Sequence, residues 1–407
     1  MLIMDFEIRT PTHHEAERFW RLGHEAFGFP AAPSAPSEPP APGSLDRPGA
    51  TPVVAMDGDT MAGRMVDRDY DCWFGGKLVP TSGIGGVTVA MEYRGRGLLT
   101  PLFTELFRIA KDRGAVLSAL YPSSVGIYRR LGYEVICTAD PARFPIAALS
   151  RISAPEQIRT RRATAADGPA IRSTYDAWAA ANNGPLSRRG ASFPVDDDEL
   201  IKSFTGITVA ERDGLIIGYT SWNRGSSFGP DGVLQVFGLI ATDRDGYRAL
   251  LAALGSYASI VGWIKIENAS GLDLVLQLFP TSEWQVLDSQ PYMLKIIDVV
   301  GALQARGYPE VISTTLEFGV AGDPITGTDG HYRLELSAGV ATCSRLGDLD
   351  ATGDVPVFTP NGLAMAYAGA QSAAGIRSVG GLSGPNDHDE TFGAIFGGRP
   401  VRIRDHY

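Results

Sequence analysis

Cysteine is scarce in these 407 residues, with only Cys72, Cys137 and Cys343, no two of them close in sequence. An odd count excludes a fully paired disulfide framework, and the spacing excludes a cysteine-built metal site. A reducing compartment, the cytoplasm, is the expectation. Lysine occurs only at positions 77, 111, 202, 265 and 295, so arginine carries most of the positive charge. Positive charge is itself the minority, with a formal net charge of −10. That balance argues against a nucleic-acid binder. It would favour cationic ligands if the acidity were focused in a cleft. No run of about 18 uncharged apolar residues exists, so no membrane span is expected. Met1 to Glu7 lack the basic and long apolar regions of a signal peptide. The six histidines (13, 14, 24, 331, 388 and 406) are scattered, and neither a Ser/His/Asp set nor a metal site emerges.

What is present suits two or three domains. Residues 31–42, AAPSAPSEPPAP, read as a surface loop or semi-rigid linker. Before them, His14 to Phe27 has helical spacing of Phe19, Leu22 and Ala26. Strands are predicted at Thr51–Met56 and Thr60–Val66 around the turn Asp57-Gly58-Asp59. A glycine-rich approach, Gly83-Ile84-Gly85-Gly86, leads to a short strand, Val87 to Ala90. Beyond Tyr93-Arg94-Gly95-Arg96-Gly97, the residues Leu102, Phe103, Leu106, Phe107 and Ala110 repeat at helical spacing. That helix closes at Lys111-Asp112-Arg113-Gly114. A strand follows at Val116–Leu120, and a short helix at Tyr128–Gly132.

The order then recurs. Thr208 to Gly218 resembles Val53 to Gly63, and Phe237 to Gly246 with the helical run Tyr247–Tyr257 resembles Val87 to Phe107. After Val299 the character changes. A short helix to Arg306, strands at Ile312–Val320, Tyr332–Ser337 and Val340–Cys343, and a helix at Gly362–Ala370 predict an α+β domain.

The Arg94-Gly95-Arg96-Gly97 turn between strand and helix carries the chemistry. Successive N–H groups and the positive helix end converge there, which suits a pyrophosphate. Glycines allow close backbone approach, and the arginines can pair with phosphate oxygens. The turn is neither a Walker A loop nor a dinucleotide fingerprint.

The series V-T-V, R-G-R-G-L-L, amphipathic helix, A-V-L-S-A-L and G-I-Y-R-R-L-G-Y resembles the coenzyme A region of the GNAT acetyltransferases. The tandem copy and the Y-M-L-K-I-I-D-V-V-G-A-L-Q-A-R-G-Y junction are similar to the Eis-type (enhanced intracellular survival) N-acetyltransferases, over nearly the whole chain. The resemblance implies an α/β (α+β) fold of tandem GNAT domains followed by a sterol-carrier-protein-like domain. The expected divisions are 1–150, catalytic; 151–298, degenerate; and 299–407, supplying the chain terminus to the active site. Acetyl-CoA is the implied cosubstrate, with no metal. Val87, Thr88 and Val89 are implied to lie on the strand that parts for the pantetheine arm. Arg94, Gly95, Arg96, Gly97, Leu98, Leu99 and Thr100 are implied to hold the diphosphate, although Leu99 stands where the family has a small residue. Ser123 and Ser124 precede the helix near the pantetheine end. Tyr128 matches the general acid, and the terminal carboxylate of Tyr407 the general base.

The chemistry suits these roles. An attacking amine must lose a proton to a base, and a free α-carboxyl is a poor base unless shielded from water. Backbone N–H groups near Gly86 and Val87 could stabilise the oxyanion. The second copy has Arg244-Asp245-Gly246 in place of the loop, so it is expected to bind no coenzyme A. The implied reaction is direct acetyl transfer in a ternary complex to a primary amine of a small cationic acceptor: aminoglycoside-like, polyamine or lysine side chain. The alternative is a coenzyme A- or lipid-binding protein of the same fold with little turnover. The tail departs from the family: His406 replaces a usually acidic penultimate residue, and Arg402 and Arg404 flank Asp405. A homo-oligomer, a hexamer in the family, is a further expectation.

Overall fold

The computed structural model describes residues 6–28, 45–190, 192–267, 269, 274–279, 283–349 and 354–407. The proline-rich stretch at 31–42 lies outside them. Strand β1 (Glu7–Arg9) is followed by α1 (Ala16–Phe27), where the apolar spacing predicts a helix. It stops at Gly28, whose φ of 55° is left-handed. Strands β2 (Ala50–Asp57) and β3 (Thr60–Phe74) form the expected hairpin. Strand β4 (Lys77–Val89) pairs along β3. The short strand expected at 87–90 is therefore the end of a longer one, and the glycines at 83, 85 and 86 lie within it.

Helix α2 (Leu99–Asp112) buries the predicted face of Leu102, Phe103, Leu106, Phe107 and Ala110. Strand β5 (Leu117–Leu120), helix α3 (Val125–Arg129) and strand β6 (Glu134–Ala139) follow. Helix α3 sits three residues earlier than the expected 128–132, because the chain turns back at Gly132, where φ is 86°.

The second segment contributes β7 (Ala142–Pro145), β8 (Arg159–Arg162), α4 (Gly168–Ala180), α5 (Asp197–Lys202), β9 (Gly206–Arg212), β10 (Leu215–Asn223) and β11 (Gly229–Ala241). It continues with α6 (Arg244–Gly255), β12 (Val261–Ile266), β13 (Gln285–Val286) and β14 (Gln290–Ile296). The two large sheets run β1-β2-β3-β4-β5-β14-β6 and β8-β9-β10-β11-β12-β7-β13. They have the same order, with one exchange. Strand β14, late in the chain, fills the slot between β5 and β6, and the early strand β7 fills the matching slot of the second sheet.

The third segment has α7 (Val299–Ala305), β15 (Thr314–Val320), β16 (Gly330–Ser337), β17 (Val340–Gly347), β18 (Val357–Phe358), α8 (Pro360–Ala368), α9 (Ala373–Ser378), β19 (Leu382–Ser383) and α10 (Asp389–Phe396). It is an antiparallel-rich sheet with helices, the α+β unit expected.

Alternation along β3 sorts its neighbours. Met65 faces α2 in one core; Tyr70, Cys72 and Phe74 face the other way, into a core shared with the third segment. Helix α1 covers the near end of that second face, with Phe19 and Leu22 on Val54 and Met56. Between α1 and the third segment, this face is floored by Arg64, Arg68 and Tyr70.

Asn183, fully buried, ties the three parts together. Its Oδ1 accepts from Gly75 N at 2.8 Å and its Nδ2 donates to Ala368 O at 2.9 Å. A second buried tie joins Lys295 of β14 to Asp323 of the third segment at 2.8 Å. Among the described residues, no helix is long and apolar enough to cross a membrane.

Candidate active site

Strands β4 and β5 are parallel and pair only from Thr81–Leu117 to Ile84–Leu120. Beyond Ile84, β4 keeps β3 as its strand partner and β5 turns away. One edge of Gly85 to Val89 therefore faces a gap instead of a ladder. Backbone groups left so are a template for an extended, amide-bearing ligand. Val87, Thr88 and Val89 all lie on this edge. Thr88 is buried, and its hydroxyl donates to Gly86 O at 3.3 Å.

The loop from Arg94 to Leu98 follows at once and opens α2. Gly95 and Gly97 both have φ of 76°, and a Cβ on either would meet nothing within 4 Å. The loop is thus open at a helix N-terminus, where the first N–H groups of α2 and its positive dipole end lie. Arg94 and Arg96 are exposed beside it; Arg94 Nε donates to Val89 O at 3.3 Å, and Arg96 stands over the Tyr93 ring. Leu98 turns into the core, while Leu99 and Thr100 begin the helix. Strand gap, glycine loop and helix end are contiguous, which fits the pantetheine arm and diphosphate of coenzyme A.

Tyr128 is buried among Phe103 and Tyr133, on the α2 side of the sheet. Burial pushes its phenol up, partly countered by a hydrogen bond from Ser123. The hydroxyl therefore stays protonated at neutral pH. Ser123 and Ser124 are exposed before α3, and Ser124 is its extended N-cap.

Tyr407 packs on the opposite face. Its ring lies 4.9 Å from Tyr70, 5.6 Å from Tyr121 and 6.4 Å from Tyr292. The chain end is thus held at Gly83 and at the residue following β5, where the strands part. The side chains of Tyr128 and Tyr407 belong to different cores, with the sheet gap between.

The residues before Tyr407 are fixed by partners far away in sequence. Tyr121 Oη donates to Asp405 O at 2.6 Å, and Tyr175 Oη to Asp405 Oδ2 at 3.1 Å. Arg188 Nε donates to Asp405 Oδ1 at 2.9 Å, and its Nη1 to Tyr219 Oη at 2.8 Å. Arg188 has φ of 55°, a strained value for a non-glycine residue. Burial works against its charge, but Asp405, Tyr219 and Tyr175 together more than offset this and hold its pKa above the usual arginine value. His406 stacks on Tyr121 at 4.5 Å, and burial, then the charge of Arg68, lower its pKa.

Sequence reasoning missed the floor of this face. Arg64 donates to Phe19 O and lies 3.9 Å over the Phe19 ring. Arg68 lies beside it, 5.8 Å from the Tyr407 ring. The glycines make this possible. A methyl group at Gly85 would collide with the Arg68 guanidinium, at Gly86 or Gly23 with Arg64, and at Gly83 with Tyr70. The signal was in the sequence: arginines at 64 and 68 share a strand face, opposite a glycine-rich strand.

A cavity of about 660 Å³ opens beyond the chain end, lined by Tyr175, Phe193, Tyr219, Phe237 and His406 among others. It is not an acidic bowl. Of its carboxylates, Asp405 pairs with Arg188, Asp176 with Arg189 at 2.6 Å, and Glu267 with Lys265 at 2.7 Å.

The second sheet repeats the parting of strands, since β11 and β12 pair only as far as Val236–Ile266. Its helix end is closed, however. The Asp243 carboxylate accepts from Gly246 N at 2.8 Å and pairs with Arg212 at 2.8 Å, so the protein's own anion fills the place. The sequence pointed to Asp245; the side chain on the helix end is Asp243.

Comparison with known proteins agrees with this architecture. Residues 7–136 match the acetyltransferase (GNAT) domain, and residues 299–403 match the sterol carrier protein domain. The chain is 26% identical over 366 residues to the N-acetyltransferase Eis of Mycobacterium tuberculosis, covering 81% of this chain and 82% of that protein. It is 27% identical over 336 residues to an uncharacterized N-acetyltransferase of Streptomyces avermitilis, covering 75% and 76%. The structure of a GCN5-related N-acetyltransferase from Kribbella flavida superimposes with a TM-score of 0.80 at 26% identity, over 99% of this chain and 98% of that one. The GNAT fold implies use of acetyl-CoA. With an open helix-end loop in its first sheet, a closed one in its second and a sterol-carrier-like third part, this chain is a GNAT acetyltransferase similar to the Eis N-acetyltransferases.

Proposed function

We propose that this enzyme transfers acetyl from acetyl-CoA directly to a primary amine of a small acceptor, in a ternary complex. The observation that carries this is the contiguity of the β4–β5 gap, the open α2 loop and the docked chain end. When bound, acetyl-CoA supplies an acyl thioester. Arg94 to Thr100 hold its diphosphate, and the free edge of Val87 to Val89 aligns the arm. Ser123 and Ser124 flank the end of that path. Tyr128 holds a proton at Oη, which it gives to the departing sulfur. The Tyr407 carboxylate takes a proton from the acceptor ammonium, and the aromatic surround of the chain end shields it from water.

The protons balance. Of three on the ammonium, one stays on the amide nitrogen and one leaves through the carboxylate to water. The third replaces the proton given up by Tyr128. The C–N bond forms as the C–S bond breaks. No acyl-cysteine step is invoked: burial holds Cys72, Cys137 and Cys343 at a pKa of about 12, so none is a thiolate at neutral pH.

The first sheet is the catalytic unit, the second a scaffold, and the third segment brings the chain end. The packing of the third segment does not favour a lipid-carrier role. The third segment's core is filled by Phe318, Phe358, Phe392 and Phe396, and the cavity beside it measures about 170 Å³, below the roughly 300–1,000 Å³ of ordinary ligand pockets. Release of coenzyme A, followed with a thiol reagent across aminoglycosides, polyamines and lysine compounds, tests the reading. Acetyl-CoA binding without turnover of any amine would overturn it.

A further inference from the structure

Arg64 and Arg68 are two neighbouring guanidinium groups without a carboxylate partner among the described residues. Arg64 Nε and Arg68 Nη1 are buried and lack any hydrogen-bond acceptor. Burial and the charge of Arg68 bring the Arg64 pKa down to about 10. The nearest acids in sequence do not help. Asp67 lies on the other face of β3, and Arg113 pairs with it at 3.0 Å and with Asp69 at 2.6 Å. Buried cations left so are costly, and proteins rarely keep them without a counter-anion. Glycines at 23, 85 and 86 are spent on making room for them. The pair sits at the first residues of β4 beyond the parting of the strands, under α1 and beside the Tyr407 ring. An approaching polycation would be repelled there.

We propose that the acceptor carries its own carboxylate, which Arg64 and Arg68 bind while its amine reaches the gap between β4 and β5. The acceptor class is an amino acid with a second, distal amine, not a polyamine or aminoglycoside. This rests on the transferase reading above. The planar guanidinium fork matches a carboxylate, and such charge-assisted contacts contribute roughly 10- to 100-fold in affinity.

The test uses matched acceptors differing only in that carboxylate: L-lysine against 1,5-diaminopentane, and L-ornithine against 1,4-diaminobutane. Coenzyme A release is followed with the full chain. The expected kcat/KM is at least about 10-fold higher for the amino acid in one pair or both. Arg68→Gln should lower that ratio about 10-fold or more, by weakening lysine turnover and raising diamine turnover. A ratio of one or less in the wild type, or an unchanged ratio in Arg68→Gln, overturns the proposal. An equal fall with both partners also overturns it, because Arg68 would then act only on the chain end. Should Arg68→Gln not fold, competitive inhibition of the wild type decides: hexanoate should inhibit and hexanamide should not. Failure of the transferase reading looks different, with no coenzyme A release from any amine. In that event a rise in melting temperature with hexanoate but not hexanamide supports the arginine site, and no rise sinks it.

Discussion

The glycine loop before α2 allows a prediction whose size follows from backbone geometry. Gly97 has φ of 76°, and a methyl group there would touch nothing within 4 Å. Gly97→Ala therefore introduces no clash, only the strain of an L-residue in the left-handed region, roughly 1–2 kcal/mol. That energy must appear somewhere. A loop locked by packing would carry the strain as lost stability. This loop has no such packing, so the substituted chain relaxes to negative φ and turns an N–H group away from the helix end. The strain then appears as weaker coenzyme A binding, about 5- to 30-fold in Kd, with a melting temperature close to that of the wild type. Isothermal titration of coenzyme A into both proteins measures the first quantity, and a thermal scan the second. Gly214→Ala is the control. It has φ of 79° with nothing near its Cβ, in the hairpin between β9 and β10. It should lose stability and keep the wild-type Kd. A Gly97→Ala Kd within twofold of wild type, whatever its melting temperature, would refute the cradle at α2.

Other outcomes follow from the same geometry. Tyr128→Phe removes one hydroxyl from an otherwise unchanged ring, and kcat should fall about 10²-fold or more with little change in coenzyme A affinity; equal kcat would remove Tyr128 from the reaction. Deleting Tyr407 alone should cost a similar factor, and full activity of the 406-residue chain would dismiss the carboxylate as base. His406 has a folded pKa below its unfolded one, so docking of the chain end is fully retained above about pH 6.5 and weakens as the pH falls. The acid limb of the pH–rate profile should lose this component in His406→Gln, and superimposable limbs would contradict it. Lys295→Met leaves the buried Asp323 carboxylate without its cation and should destabilise by about 3–5 kcal/mol; a loss under about 1 kcal/mol in denaturant titration would show that water reaches the pair.

Local signals carried much of the site. The RGRG turn and the flanking helix period are short-range features, and each lies where its residue types suggest; Tyr128 is singled out by the family resemblance, and its helix lies three residues earlier than the sequence suggests. Long-range pairing was less legible. Arg188 and Asp405 stand 217 positions apart, and nothing local in either marks the other. The glycines at 83, 85 and 86 read as the approach to a strand and not as part of one, because glycine is unfavourable in strands. Their role is defined by the side chains of Arg64, Arg68 and Tyr70 on the adjacent strand. Pairing across strands depends on register, which the order of residues along one segment does not encode. The acidity of the whole chain also misled: the cavity's carboxylates are largely neutralised by their own arginine and lysine neighbours.

The exchange of β7 and β14 bears on how the molecule comes into being. During synthesis the N-terminal segment emerges first, with β5 and β6 unable to pair because the strand that belongs between them is still to come. The first sheet closes only after Ile296 has left the ribosome, and by then β7 has been committed to the second sheet. Neither half can be completed, inherited or discarded without the other. The strand exchange alone is thus enough reason for the second copy to accompany the first, whatever its own chemistry.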